Sequence, residues 1–145
     1  MKPLSKEKIA FMNSFLNRPL IARMATADSS CQPHVVPVWF GWDGKSIWIS
    51  AFSSTRKVKE LNLNPKISVV IDVAEENANT QGVLFEGTAE IIGKPLELVQ
   101  KQSRWIYTRY LGEKGVLEKD PQSWIHDPEN RIIKLTPDFI HTWSY

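Results

Sequence analysis

Residues 34–52 read "HVVPVWFGWDGKSIWISAF", two alternating apolar runs that meet at a tight turn. In the first run Val36, Val38, Phe40 and Trp42 share one face, and Val35, Pro37, Trp39 and Gly41 share the other. A period of two marks an extended strand, because successive side chains point to opposite sides. Asp43-Gly44 follows the first run directly and is a strong hairpin signal. In the second run Ile47, Ile49 and Ala51 alternate against Trp48, Ser50 and Phe52. The stretch therefore reads as a β-hairpin. Pro37 has no N–H to give to a ladder, so its strand is expected at a sheet edge or at a bulge. Such an edge either protects the sheet from aggregation or leaves backbone groups free to hydrogen-bond a flat heterocycle.

The same periodicity extends outward. "LIARMATAD" (20–28) precedes the hairpin as a strand, closed by the turn "DSSCQP" (28–33). After it, "KISVVIDV" (66–73) puts Ile67, Val69, Ile71 and Val73 on an inner face, and the polar "EENANTQ" (75–81) reads as a loop. "GVLFEGTAEII" (82–92) is a long strand in which Gly87 signals a bulge or a close backbone approach. "RIIKLTPDFIHTW" (131–143) supplies one or two short strands around Pro137. A first helix follows Ser5 as cap, with Ile9, Phe11, Met12 and Leu16 as its stripe. A second is expected over 95–111, with Leu96, Val99, Gln102, Ile106 and Tyr110 inward. Residues 112–130 are polar, with Trp124 as an isolated anchor. These elements add up to an α+β, mainly antiparallel fold, in which about six strands close as a barrel or curled sheet with two or three peripheral helices.

Composition bounds the function. The 145 residues, 42% hydrophobic and 23% charged, match one soluble domain spanning 1–145, and the net charge of +2 creates no global field that would draw in nucleic acid. The single cysteine, Cys31, excludes an internal disulfide and fits a reducing cytoplasmic setting. No apolar run approaches the ~20 residues of a membrane span, and the N-terminus lacks the pattern of a secretory leader. His34, His126 and His141 are dispersed, so no metal site is expected, and Glu86 and Glu90 are expected to face solvent. Arg104 and Arg109, beside Trp105 and Tyr107, read as surface or interface residues.

Residues 52–65, "FSSTRKVKELNLNP", hold an unusual charge placement. With Ser54 as N-cap, Thr55, Arg56 and Lys57 fill the first turn of a short helix that Asn64-Pro65 ends. Val58 and Leu61 then face the core, and Arg56, Lys59 and Glu60 face solvent. Cations oppose the positive end of a helix dipole, at a cost of roughly 0.3–1 kcal/mol each. Two readings follow. Either the helix is solvated and slightly suboptimal, or a phosphate at its N-terminus accepts from free backbone N–H groups and hydroxyls while Arg56 and Lys57 pair with it. There is no P-loop and no Rossmann glycine pattern.

From 18 to 72 the ordered series "ATAD", "PHVVPVWF", Asp-Gly, "IWIS", "STRKVKELNLNP" and "KISVVID" resembles the FMN-binding split-barrel proteins related to pyridoxamine 5'-phosphate oxidase. The resemblance implies a six-stranded split barrel that forms a homodimer, with FMN sites at the subunit interface and a small-molecule substrate or electron donor. It assigns the FMN phosphate to Arg56 and Lys57, with Ser54 and Thr55 beside it. It places Val36, Pro37, Val38 and Trp39 along the isoalloxazine, and Ser50 and Ala51 against the flavin and its ribityl chain. Trp105 and Trp143 are the residues it offers to a partner's site. It implies an FMN-dependent oxidoreductase; the alternatives are a flavin carrier or sensor without turnover, and a reductase using the deazaflavin coenzyme. The chain departs from the family pattern at Ser30 and Cys31, where many relatives have Gly, and at Gly82, where the oxidase has Gln. It also lacks that enzyme's C-terminal Arg-containing motif, so a vitamin-B6 substrate is not implied.

Overall fold

The computed structural model describes residues 1–75 and 79–145; residues 76–78, within the expected polar loop, lie outside the described set. Among the described residues the order is α1 (Lys6–Phe15), β1 (Ala22–Ala27), β2 (Pro33–Val38), β3 (Gly41–Trp42), β4 (Ile47–Phe52), α2 (Arg56–Leu63), β5 (Lys66–Ala74), β6 (Thr80–Ile92), α3 (Leu96–Gly115), α4 (Lys119–Ile125) and β7 (Asn130–Ser144). The strands form one antiparallel sheet ordered β2-β1-β5-β6-β7-β4-β3.

That order begins and ends on strands that are neighbours in sequence. β2 and β3 are the two edges, and only Trp39 and Phe40 separate them. The sheet thus curls until one chain segment crosses from its first edge to its last, which is a split barrel. The strand expected over 34–42 is therefore two strands, and the total is seven instead of six. The break is stabilised from outside the sheet. Phe40 N–H donates to Tyr110 Oη at 3.1 Å, and Phe40 C=O accepts from Arg109 Nε at 2.9 Å, so α3 satisfies the backbone groups that the ladder releases. Pro37 lies on an edge strand, as its missing N–H requires.

Two cores follow from the alternation. Ile47, Ile49 and Ala51 of β4 enter the barrel interior with Phe40, Val69, Ile71, Val83 and Phe85, and α1 and α2 add Met12, Phe15, Val58 and Leu61. On the other face of β4 and β7, Trp48 and Ile132 meet Val99, Ile106 and Tyr107 of α3 and Ile125 of α4. Trp105 lies flat on Gly41 and Trp143 on Gly82, both within the chain, where any β-carbon would overlap the ring.

Four further expectations change. Leu96 is exposed, and Ser103 and Tyr107 take the buried face of α3. Residues 112–130 are not all loop, because Pro121, in the first turn of α4, and Ile125 are buried. The helices number four among the described residues, where two or three were expected. Residues 130–144 form one strand, and Pro137 is accommodated where the β6–β7 register shifts between Glu86 and Gly87. Among the described residues no helix is long and apolar enough to cross a membrane.

Candidate functional site

The hydroxyls before α2 do not cap it. Thr55, not Ser54, is the N-cap, and its Oγ1 donates to Phe52 C=O at 2.7 Å instead of accepting from the helix. Ser54 Oγ reaches Glu129 Oε2 at 3.1 Å. Among the described residues the first-turn N–H groups of α2 thus have no side-chain acceptor, and no acidic residue lies in that turn.

Glu60 does not face solvent as expected; it is buried. Its carboxylate accepts from Thr26 Oγ1 at 2.5 Å and from Arg56 Nε at 2.6 Å. The Thr26 hydroxyl first, and then Arg56, hold its pKa below the ordinary value. A carboxylate tolerates burial only with such partners, and Thr26 lies too far away in sequence for helical periodicity to reveal it. His34 Nδ1 sits 3.5 Å from Glu60 Oε2 and has no hydrogen-bond partner among the described residues.

Consecutive helical residues point about 100° apart, so Arg56 and Lys57 diverge. Arg56, Ser54, Lys59 and Glu60 line a surface cleft of about 310 Å³ with Asp28 and Ser29. Lys57 instead lines a cavity of about 400 Å³ with Ile21, Pro37, Val38, Trp39, Ser50 and Tyr107. Lys57 is half-buried, and among the described residues it forms no salt bridge. Burial pulls its pKa down. A desolvated cation without a counter-ion, beside an edge strand, is a local demand for an anion.

Of the ten residues expected at the site, Pro37, Val38, Trp39, Ser50 and Lys57 converge on the cavity. Ala51 belongs to the barrel core and Val36 packs against it, and neither lines the cavity. Ser54 and Arg56 line the adjoining cleft, and Thr55, at the N-cap position of α2, lines neither space. Tyr107 and Ile21 were not anticipated. Tyr107 shares a helical face with Ser103 at a spacing of four, a signal that a search for apolar stripes passes over.

The cavity wall has a fixed polar interior. Ser50 Oγ lies 2.9 Å from Tyr107 Oη, 3.2 Å from Ser103 Oγ and 3.0 Å from Asn130 Oδ1. Asn130 Nδ2 donates to Ser103 Oγ at 2.9 Å and to Ile125 C=O at 3.1 Å. Trp39 stacks on Tyr110 with centroids 4.7 Å apart and meets Tyr107 edge-on at 6.0 Å. Burial raises the Tyr107 pKa above the ordinary phenol value.

Residues 10–144 match the family model described as pyridoxamine 5'-phosphate oxidase. The chain belongs to that family. Solved structures agree on the fold. A conserved hypothetical protein from Mycobacterium tuberculosis superposes with a TM-score of 0.78 at 22% identity, covering 98% of this chain and 86% of its own. An F420 reductase gives 0.67 at 22% identity, covering 97% and 98%. The flavocytochrome Anf3 from Azotobacter vinelandii gives 0.75 at 16% identity, covering 99% of this chain and 68% of its own. A comparison with curated proteins returns no match. Within the pyridoxamine 5'-phosphate oxidase family, the departures noted in the sequence fall at defined places. Cys31 takes a φ of 65°, a left-handed turn position that suits glycine, and Gly82 is covered by Trp143.

Proposed function

We propose that this protein is an FMN-dependent oxidoreductase acting on a small molecule, and that two copies associate so that a partner subunit completes each cofactor site. The observation that carries the reading is the half-buried Lys57, without a salt-bridge partner among the described residues, in the cavity framed by Pro37, Trp39 and Ser50. When bound, FMN supplies hydride or electron transfer, and the chain supplies binding and orientation. Lys57 offers a point charge to the phosphate, and the uncapped first turn of α2 offers backbone N–H groups. Arg56 uses Nε for Glu60 and lines the adjoining cleft, which leaves its terminal nitrogens for an anion that extends over the start of α2 towards that side. The free edge of β2 offers backbone groups to a flat ring.

The F420 reductase among the structural neighbours favours a second reading, in which the deazaflavin coenzyme takes the same place. Mass spectrometry of ligand released from the purified protein separates the two. FMN supports the first reading and F420 the second, whereas a colourless protein with no affinity for either refutes both. Reduction of the bound flavin by a nicotinamide nucleotide, followed by reoxidation on adding an acceptor, distinguishes an oxidoreductase from a carrier. Light scattering that returns a monomer at micromolar concentration refutes the dimer.

A further inference from the structure

The ring of hydrogen bonds behind the cavity fixes the direction of every proton in it. Ile125 C=O can only accept, so the Asn130 group facing it at 3.1 Å is the amide nitrogen. Asn130 Oδ1 therefore faces Ser50 and accepts its proton at 3.0 Å. Asn130 Nδ2 donates to Ser103 Oγ at 2.9 Å, which leaves the Ser103 proton for Ser50 Oγ at 3.2 Å. Ser50 has one proton, and it is committed to Asn130. The 2.9 Å contact between Ser50 and Tyr107 thus has Tyr107 as its donor. Ser50 Oγ is then saturated, with one bond donated and two accepted, and Tyr107 Oη has lone pairs to offer but no proton.

We infer that Tyr107 is a specificity-determining residue of the cavity, whose hydroxyl is held as an acceptor and selects a ligand with an O–H or N–H donor there. The cavity places Tyr107 with Lys57, which seeks an anion, and with Pro37 and Trp39, which offer a ring-sized surface. A donor beside Tyr107 therefore belongs to a hydroxylated linker that joins an anionic group to a ring. Resting on the cofactor reading above, the linker is the polyol chain that FMN and the deazaflavin coenzyme share. The selection is strong in kind, because an acceptor-only group would set two lone pairs against each other in a partly desolvated wall.

Titration of FMN, its single deoxyribityl analogues and the matching fluoro analogues against wild type and Tyr107→Phe tests this, with a thermal melt of each protein to confirm folding. Tyr107→Phe should weaken FMN roughly five- to tenfold. One deoxy analogue should lose the same factor on wild type and lose nothing further on Tyr107→Phe. The fluoro analogue at that carbon, an acceptor without a donor, should behave as the deoxy compound does. Equal losses for FMN and every deoxy analogue would make Tyr107 merely structural and overturn the inference, and so would no loss at all. Full affinity of the fluoro analogue would overturn the assigned polarity. Failure of wild type to bind either FMN or F420 would instead refute the cofactor reading, and the polyol assignment with it.

Discussion

Arg109 on α3 donates from Nε to the Phe40 carbonyl at 2.9 Å, at the one point where the barrel's edge strand breaks. Its Nη2 also donates to the carbonyls of Leu16 at 3.0 Å and Arg18 at 3.2 Å, which follow the end of α1. One guanidinium thus closes the split and caps a helix C-terminus, using a planar fork that an ammonium lacks. Arg109→Met should lower the unfolding free energy by about 2–3 kcal/mol, since it strands part-buried carbonyls. Arg109→Lys should recover less than half of that loss. Urea denaturation measures both, and a lysine variant as stable as wild type would show that charge alone suffices.

Lys57→Ala should weaken FMN binding at least tenfold, about 1.4 kcal/mol or more, while the ligand-free protein melts no lower. The pH dependence has a definite sign. Burial sets the folded pKa of Lys57 below the usual 10.5, so between that lowered value and 10.5 the unfolded chain holds more protons. Ligand-free stability should therefore gain a contribution from Lys57 as pH rises through that window, and Lys57→Ala should abolish that contribution. Phosphate affinity should move the opposite way, falling as Lys57 loses its proton. The double variant Arg56→Ala, Lys57→Ala with unchanged FMN affinity would remove the phosphate assignment.

Asp43 organises the hairpin that joins β3 to β4. Its Oδ1 accepts from Lys45 N–H at 2.8 Å and Ser46 N–H at 2.7 Å, and its Oδ2 accepts from Trp48 Nε1 at 2.8 Å. Burial raises its pKa, but the Ser46, Trp48 and Lys45 bonds outweigh this and leave the net value below 3.8. The carboxylate's contribution is present above 3.8 and is lost as pH falls through the lowered folded value. Asp43→Ala should cost about 2 kcal/mol at neutral pH and flatten the acid limb of the stability curve. Thermal melts from pH 7 to pH 2 measure both effects.

Cys31 occupies a φ of 65° in the turn between β1 and β2. A β-carbon there costs about 1–2 kcal/mol, partly offset by the greater freedom of unfolded glycine. Cys31→Gly should leave stability unchanged or raise it by up to about 1 kcal/mol, and Cys31→Val should lower it. Equal melting temperatures for the glycine and valine variants would remove the strain.

Much of this architecture is local and was legible in the chain. Alternation at Ile47, Ile49 and Ala51, the Asp43-Gly44 turn, the edge signalled by Pro37 and the irregularity at Gly87 each depend on residues a few positions apart. Trp39, Ser50 and Lys57, which the family resemblance had assigned to a cofactor, are residues that the fold gathers at one cavity. What the chain alone did not show depends on partners distant in sequence. Burial of Glu60 depends on Thr26, the break at Phe40 on Arg109 and Tyr110, and the polarity of Tyr107 on Asn130 and Ile125. Periodicity records which face a side chain occupies, so it determined the strands, and the ordered series of motifs supplied the candidate site. A hydrogen bond satisfies a buried group only at contact distance, so only the tertiary structure decided that Arg56 and Lys57 face different spaces and that the cavity wall accepts instead of donating.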